Sequence, residues 1–282
     1  MLKLKCLFTT DLHGNIDKYK KLFELIKKEK PKAVFLGGDL FPNNPKISID
    51  DFFNNFFIEE VKKIKKLLKN QIRFFTIMGN DDPRIYEKNF IQSTEEGIID
   101  YVNNKIEKFE NFFVVGYSYV PPTPFKLKDW EKYDVSRYVD VGAVSPEEGW
   151  RSVEIDKNEI IYSTISDDLK KLTKNLSVEK TIFLFHSPPY DTFLDRAALD
   201  EKKVDHTPVD LHIGSIAIRR FIENKHPFLT LHGHVHETVS LTGKWVQKFS
   251  KTYSFSACND GKELAVIIFD TDKLEEANRL LI

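Results

Sequence analysis

Five short apolar segments of this chain end in residue types that bind metal ions, and this pattern restricts the possible fold more than any other feature. The segments are predicted strands, and the residues that follow them in chain order are Asp11 and His13, then Asp39, then Asn80 and Asp81, then His186, and last His234 and His236. In α/β sheets, ligands bind beyond the carboxyl ends of the strands. We therefore expect these side chains to converge on one site.

Segments with helical spacing separate the first strands, as parallel pairing requires. Apolar residues recur at helical spacing over 15–30, and a second helix is predicted over about 51–69. These segments lie between predicted strands at 3–10, 33–36 and 74–78. Consecutive β–α–β passages favour right-handed crossovers and a parallel core.

Most of the remaining chain continues this regular pattern. The further predicted elements are strands over 112–117, 181–185, 228–231, 244–257 and 263–269, helices over 166–174 and 214–224, and a short C-terminal helix. The sequence indicates a single domain over residues 1–282.

Residues 119–160 form an irregular polar segment that interrupts the pattern, and we interpret them as an insertion over one edge of the core. We expect Trp130, Tyr133 and Trp150 to pin this segment to the core; the alternative is that they wall a substrate pocket or a dimer contact. Substrate choice should depend on this insertion and on the loop at 187–212.

Composition excludes several classes of partner. The chain has 42 basic and 43 acidic side chains and a net charge of -1, so no global positive field attracts nucleic acid, and we do not expect nucleic acid as a partner. Only two cysteines occur, which is typical of a reducing compartment. The N-terminal segment is too short and too mixed for a signal peptide, and no apolar run has the length of a membrane span. We expect a cytoplasmic protein without a membrane partner; the sequence leaves its oligomeric state open.

The residue types at the strand ends suit a particular kind of metal site. Carboxylates and imidazoles together favour Mn, Fe or Zn, and no thiolate is among them. Seven ligands are too many for one tetrahedral ion, but they suit two ions about 3.5–4 Å apart that share a carboxylate. Alternate residues of an extended chain point to the same side, so each of the pairs Asp11–His13 and His234–His236 can converge on the site.

In this order, the motifs resemble the signature of the calcineurin-like metallophosphoesterases, in particular the predicted phosphoesterases of bacteria and archaea. The matching motifs are Asp11-x-His13, Gly38-Asp39, Gly79-Asn80, His186 and Gly233-His234-x-His236. The resemblance implies an α/β fold, a four-layer α/β/β/α sandwich of two mixed sheets flanked by helices. It also implies hydrolysis of a small phosphoester substrate, by in-line attack of a hydroxide that bridges two divalent ions of Mn, Fe, Zn or Ni.

The resemblance further implies a role for each ligand. Asp11, His13 and His236 would hold the first ion, Asn80, His186 and His234 would hold the second, and Asp39 would bridge them.

One position departs from the family pattern. Many relatives have a histidine directly after the motif asparagine, where this chain has Asp81. An ionised carboxylate repels a phosphate, so we expect Asp81 to orient a ligand or to form a turn. The general acid would then be His212 or His206. His212 precedes a predicted helix whose N-terminus would be able to receive an anion.

The predicted catalytic residues are therefore Asn80, Asp81 and His212. We expect phosphodiesters to be preferred to monoesters, whose extra negative charge would lie close to Asp81. The alternatives are a nuclease, a protein phosphatase, a metal enzyme of another chemistry, and a metal-free interaction scaffold on the same fold, as in the scaffold subunit of retromer.

Overall fold

Two six-stranded mixed sheets form the centre of the fold in the computed structural model, which describes residues 3–282; Met1 and Leu2 of the N-terminal segment lie outside the described residues. The first sheet has the order β14-β13-β1-β2-β3-β4. Its strands are β1 (Lys5–Thr9), β2 (Ala33–Gly37), β3 (Arg73–Ile77), β4 (Asp100–Tyr101), β13 (Ala265–Asp270) and β14 (Lys273–Leu281). Strands β1 to β4 are parallel, β13 pairs antiparallel with β1, and β14 pairs antiparallel with β13.

The second sheet also has six strands, with the order β11-β12-β10-β7-β6-β5. Its strands are β5 (Ile106–Phe109), β6 (Phe112–Tyr117), β7 (Thr181–Phe185), β10 (Leu229–His232), β11 (Val246–Phe249) and β12 (Thr252–Ser256). The four inner strands are parallel, and the two edge strands are antiparallel to their neighbours. A separate hairpin is formed by β8 (Lys203–Val204) and β9 (Thr207–Pro208).

Alternating side chains explain why the two sheets pack together and still carry helices outside. In β1, Cys6 and Phe8 belong to a buried cluster that also contains Leu184 and Leu231 of the second sheet. The intervening Leu7 belongs instead to the cluster that contains the helical apolar residues. Successive residues of a strand point to opposite faces, so each sheet buries one face against the other sheet and one against helices. The predicted sandwich of two mixed sheets flanked by helices is confirmed.

The helices follow the apolar spacing of the sequence, although one of them is not a regular α-helix. The helices are α1 (Ile16–Glu29), α2 (Ile49–Asp51), α3 (Glu59–Leu67), α4 (Glu87–Glu95), α5 (Lys157–Tyr162), α6 (Ile165–Leu172), α7 (Ile216–Lys225) and α8 (Thr238–Thr242). A π-helical stretch, Phe52–Ile58, joins α2 directly to α3. None of the helices in residues 3–282 has the length and apolar character needed to cross a bilayer.

Two predictions for the C-terminal region are wrong. The predicted final helix is the nine-residue strand β14, which pairs antiparallel with β13. The single strand predicted over 244–257 is the two antiparallel strands β11 and β12. In both places, hairpin pairing with the neighbouring strand decides the structure, and single-residue propensity does not.

The segment at 119–160 is anchored by buried side chains. Trp130 and Tyr133 are buried, as expected of residues that pin the segment, whereas Trp150 is exposed. An ion pair between Lys128 and Glu131 is fully enclosed, with neither side chain exposed to solvent. The single-domain organisation with an insertion stays a prediction.

Candidate metal centre

Four of the predicted ligands adopt the left-handed backbone conformation. They are Asp11 (φ 55°), His13 (φ 43°), Asp39 (φ 52°) and His234 (φ 76°). Residues with side chains rarely adopt this conformation, which costs on the order of 1–3 kcal/mol and is concentrated at functional sites. Two backbone hydrogen bonds hold the loops together: the Asp11 N–H donates to Gly38 O at 3.0 Å, and the His13 N–H donates to Asp39 O at 2.8 Å.

A glycine allows the loop after β2 to approach the other sheet closely. Gly38 has φ 96°, and a Cβ atom at this position would lie 2.7 Å from His186 Nδ1. A side chain would therefore be strained and would also collide with the ring of a predicted ligand.

The first group of donor atoms comes from both sheets. Asp11, His13, Asp39 and His236 each offer a ligand atom, and these atoms all lie within 4.8 Å of one another. The Nε2 atoms of His13 and His236 face each other at 3.0 Å. Two carboxylates and two imidazoles at these separations are a donor set that fits a divalent ion.

The second group shares Asp39 with the first. His186 Nε2 lies 3.3 Å from Asp39 Oδ2 and 3.0 Å from Asn80 Oδ1. The His186 Nδ1–H donates to Gly37 O at 2.8 Å, which leaves Nε2 as the ligand atom. The ring centre of His234 lies 5.3 Å from that of His186. The structure thus brings all seven predicted metal ligands together.

The electrostatics of these groups indicate a site that attracts positive charge. Burial opposes ionisation of Asp11, but the hydrogen bond from His236 and the nearby imidazoles hold the pKa of its carboxyl well below the usual range. Burial also opposes protonation of the two imidazoles beside the carboxylates. Even so, Asp39 raises the pKa of His186 to about 10, and Asp11 raises the pKa of His236 to about 9. Divalent ions bound here would supply the positive charge that protons on these imidazoles supply without them.

His234 behaves differently from the other imidazoles. Its burial, together with repulsion from His186, lowers its pKa to about 3. Its ring is therefore neutral at physiological pH, which is the state in which an imidazole binds a metal ion.

A buried carboxylate that the sequence analysis did not single out supports the ligand loops. Asp82 accepts hydrogen bonds from the backbone N–H groups of Leu40, Phe41 and Gly79. These donors belong to the loops after β2 and β3, so one side chain fixes the relative positions of Asp39 and Asn80. The sequence signal was only its place two residues after Asn80, in the motif Gly79-Asn80-x-Asp82.

A second contact that sequence reasoning missed involves Cys258. Its Sγ lies 3.3 Å from Asp11 Oδ2, and it is buried. Burial and the neighbouring Asp11 raise the pKa of the Cys258 thiol, so the thiol is protonated and its S–H donates to the carboxylate. Cys6 is also a buried free thiol, as expected.

Asp81 contacts the amide of its neighbour. Asp81 Oδ1 accepts a hydrogen bond from Asn80 Nδ2 at 2.9 Å, and the Asp81 N–H donates to Asp39 Oδ1 at 2.8 Å. The first contact determines which end of the Asn80 amide faces His186. Burial and the nearby Asp39 raise the pKa of the Asp81 carboxyl.

The comparison with known families agrees with this geometry. The model of the calcineurin-like phosphoesterases matches residues 4–238, which is most of the chain. This chain is a calcineurin-like phosphoesterase. The family depends on divalent metal ions, and the cluster of aspartates and histidines can hold such an ion. No curated protein matches the chain.

Solved structures share the fold of this phosphoesterase at low sequence identity. The protein TT1561 of Thermus thermophilus is 15% identical, with 99% of each chain covered and a TM-score of 0.57. A dimetal phosphatase from Danio rerio is 10% identical, with 99% of this chain and 98% of that chain covered and a TM-score of 0.53. A further crystal structure is 17% identical over 99% of both chains, with a TM-score of 0.62.

His212 of the phosphoesterase lies outside the two donor groups and is oriented by a buried carboxylate. Its Nδ1 lies 2.8 Å from Asp195 Oδ1, and the same carboxylate accepts hydrogen bonds from the N–H groups of Asp191, Thr192 and Gly214. Asp195 is fully buried. The Nδ1 proton is therefore held by Asp195, and the carboxylate oxygen Oδ1 of the exposed Asp191 lies 3.8 Å from Nε2.

One expectation for this region is corrected, and a second residue stays a prediction. The N-terminus of α7 does not offer an open anion site, because the Asp134 carboxylate accepts hydrogen bonds there from Ser215 Oγ and the Ile216 and Ala217 N–H groups. Asp134 thus takes the place of the anion. His206, the other candidate acid, is exposed in the turn of the β8–β9 hairpin.

A cavity of about 600 Å³ opens beside the predicted ligands of this phosphoesterase. Asp39, Asn80 and His236 line it together with His212. Its other walls come from the two segments expected to determine substrate choice, and the wall residues fall within 121–125, 140–143 and 197–214. The volume is within the range of small-molecule sites.

Proposed function

We propose that this calcineurin-like phosphoesterase hydrolyses small phosphodiesters with the aid of two divalent ions. The observation that carries the proposal is the sharing of Asp39 by two groups of donor atoms, each drawn from both sheets. Asp11, His13 and His236 would hold one ion, and Asn80, His186 and His234 would hold the other. The donor types suit Mn, Fe, Zn or Ni, and we propose manganese for the first tests.

Bound at these positions, the ions supply an activated water as nucleophile and offset the negative charge that develops on the phosphoryl group. The chain's own residues position the reaction. Asp82 holds the loops that carry Asp39 and Asn80. Asp81 turns the oxygen of the Asn80 amide towards His186.

The charge of the cavity supports a preference for diesters. Its lining includes two lysines, Lys202 and Lys203, and five carboxylates: Asp39, Asp81, Asp140, Asp210 and Glu237. Ions at the centre would offset the first two, and the two lysines leave the other three carboxylates with a net charge of -1. A phosphodiester carries one negative charge and a monoester carries up to two, so acidic walls disfavour the monoester more strongly.

His212 is the group we propose as general acid. It lines the cavity, and Asp195 fixes the orientation of its ring by accepting the hydrogen bond of Nδ1–H. The Nε2–H is then available to protonate the leaving oxygen of the diester. General acids of this kind contribute roughly 10²–10⁴-fold to rate.

The test combines metal content with a matched pair of substrates. Protein purified without chelators is analysed for metals, then assayed with manganese on bis(4-nitrophenyl) phosphate and on 4-nitrophenyl phosphate. We expect two ions per chain and at least about tenfold higher kcat/KM for the diester. One ion per chain at saturation contradicts the paired site, and a faster monoester contradicts the diester preference.

Two further outcomes identify the alternatives. A protein that binds no metal and hydrolyses neither ester would favour the interaction scaffold. Faster cleavage of single-stranded DNA than of either small ester would favour the nuclease.

A further inference from the structure

The cavity beside the metal centre has one predominantly apolar side. We call this surface the apolar wall; it consists of Pro121, Pro122, Pro124, Phe125, Val204 and Val209. Phe125 is 58% exposed and Val204 is 40% exposed, although both side chains are apolar. Exposed apolar surface inside a concave site is typical of a surface that a ligand covers.

The valines of the apolar wall lie against the same segment that carries its prolines and Phe125. Phe125 and the prolines belong to the segment at 119–160, and the two valines belong to the β8–β9 hairpin and the residue after it. At Gly142, a Cβ atom would lie 3.3 Å from Val204 Cγ2 and 3.9 Å from Val209 Cγ2. Gly142 therefore lets the segment lie directly against the hairpin.

The charges around the cavity limit what this surface can bind. In the part of the chain that the structure describes, the cavity lining contains two lysines, no arginine and five carboxylates. Nucleic acid recognition relies on many lysine and arginine contacts to phosphates, which this lining does not offer. An apolar ester group of a small phosphodiester suits the apolar wall better. It meets no repulsive charge there, and it leaves no polar group of the wall unpaired.

We propose that the substrate is a monoanionic phosphodiester with one bulky apolar ester group, and that this group packs against the apolar wall while the phosphate lies at the metal centre. The inference rests on the proposed function and adds the chemical class of the substrate. The apolar group is either an alkyl chain or an aromatic ring, and the experiment separates these two.

The first experiment varies only the ester group that stays on phosphorus. Methyl, butyl, octyl and benzyl 4-nitrophenyl phosphates share one leaving group, so the chemistry at the departing oxygen is constant. Each methylene that is buried is worth about 0.8 kcal/mol, which is about fourfold in kcat/KM. We expect kcat/KM to rise from methyl to butyl by at least about tenfold. A further rise to octyl indicates an alkyl chain, and a maximum at benzyl indicates an aromatic ring.

A matched pair of variants assigns the effect to the wall. Phe125→Ser removes an exposed ring of the apolar wall, and Leu67→Ser removes an equally exposed side chain (60%) at the end of α3, outside the cavity. We expect Phe125→Ser to lower the butyl-to-methyl ratio of kcat/KM roughly fivefold to tenfold. Leu67→Ser should keep the wild-type ratio, and equal melting temperatures exclude misfolding as the cause.

Binding without turnover makes the inference independent of catalysis. Titration calorimetry with manganese compares the methyl, butyl and benzyl monoesters of methylphosphonic acid, which are monoanionic and have no nitrophenyl leaving group. If the protein hydrolyses none of the esters but binds the butyl or benzyl phosphonate more tightly than the methyl one, the proposed function is contradicted and the apolar site is supported. If the protein hydrolyses the methyl ester readily, and neither kcat/KM nor binding affinity depends on the ester group, the apolar site is overturned. The proposed function is then left intact. An effect of Leu67→Ser equal to that of Phe125→Ser also overturns it.

Discussion

Trp130 connects the segment at 119–160 to the loops of the metal centre, and its truncation tests that connection. Its side chain is fully buried, and Nε1–H donates to Asp82 O at 2.8 Å. The indole also packs against Tyr119, with ring centres 5.4 Å apart, and beneath the guanidinium of Arg84. Because Asp82 braces the ligand loops, a change at Trp130 acts on both regions.

The expected cost follows from the burial and from the lost hydrogen bond. Replacing a buried tryptophan with alanine costs about 3–5 kcal/mol, and the hydrogen bond adds about 0.5–1.5 kcal/mol. We therefore expect Trp130→Ala to lower the free energy of unfolding by about 4–6 kcal/mol. At roughly 2 °C per kcal/mol for a chain of this size, the melting temperature should fall by about 8–12 °C.

Differential scanning calorimetry of two matched variants checks this prediction. Trp130→Phe keeps most of the ring but loses the N–H donor, so it should cost only about 1–2 kcal/mol. Trp150→Ala removes an exposed tryptophan of the same segment and should change stability by less than about 0.5 kcal/mol. A melting temperature of Trp130→Ala within about 1 °C of the wild type, together with a raised KM, would refute the reasoning and would place Trp130 in the substrate pocket.

Three other predictions concern the centre and the enclosed ion pair. Asp39→Asn should lower turnover by orders of magnitude and reduce bound metal, measured by kinetics and elemental analysis; near-normal turnover at full occupancy would contradict the bridging role. Rates on aryl phosphodiesters should depend steeply on leaving-group pKa, and Asp81→His should flatten this dependence whereas His212→Gln should steepen it. An unchanged slope in His212→Gln would mean that another group is the acid. Lys128→Met should cost about 3–5 kcal/mol in denaturant unfolding, because it leaves Glu131 buried without its partner. The double variant with Glu131→Leu should recover part of this loss, because it removes the buried charge but leaves Thr123 N–H and Oγ1 without their acceptor; equal costs for both variants would contradict the account.

The strand ends and their ligands were predictable because both signals are local. A short apolar run followed by Asp39 or His186 identifies a buried strand and its carboxyl end from a few residues. The parallel order of the strands then brings these ends together. The roles of the individual ligands stay predictions, although the side chains meet as the motifs indicated.

The parts that were missed depend on strand pairing and on hydrogen-bond partners that the propensity of single residues does not reveal. The residues of β14 (Lys273–Leu281) have helix-favouring side chains, and only pairing with β13 makes them a strand. Asp82, Asp134 and Asp195 accept backbone hydrogen bonds from loops that lie elsewhere in the chain. A carboxylate of this kind has no sequence signature, because its partners are main-chain N–H groups.

The division of the ligands between the sheets also means that a cut between them leaves no complete donor set in either fragment, although β13 and β14 of the first sheet stay with the second fragment. Asp11, His13, Asp39 and Asn80 follow strands of the first sheet, and the three remaining ligands follow strands of the second. A break in the connection between Tyr101 and Ile106 therefore separates the members of both donor groups. Neither fragment would keep a complete set, so hydrolysis would return only when the fragments reassociate. Fused to two other proteins, such fragments would report the meeting of those proteins by the release of a chromogenic product.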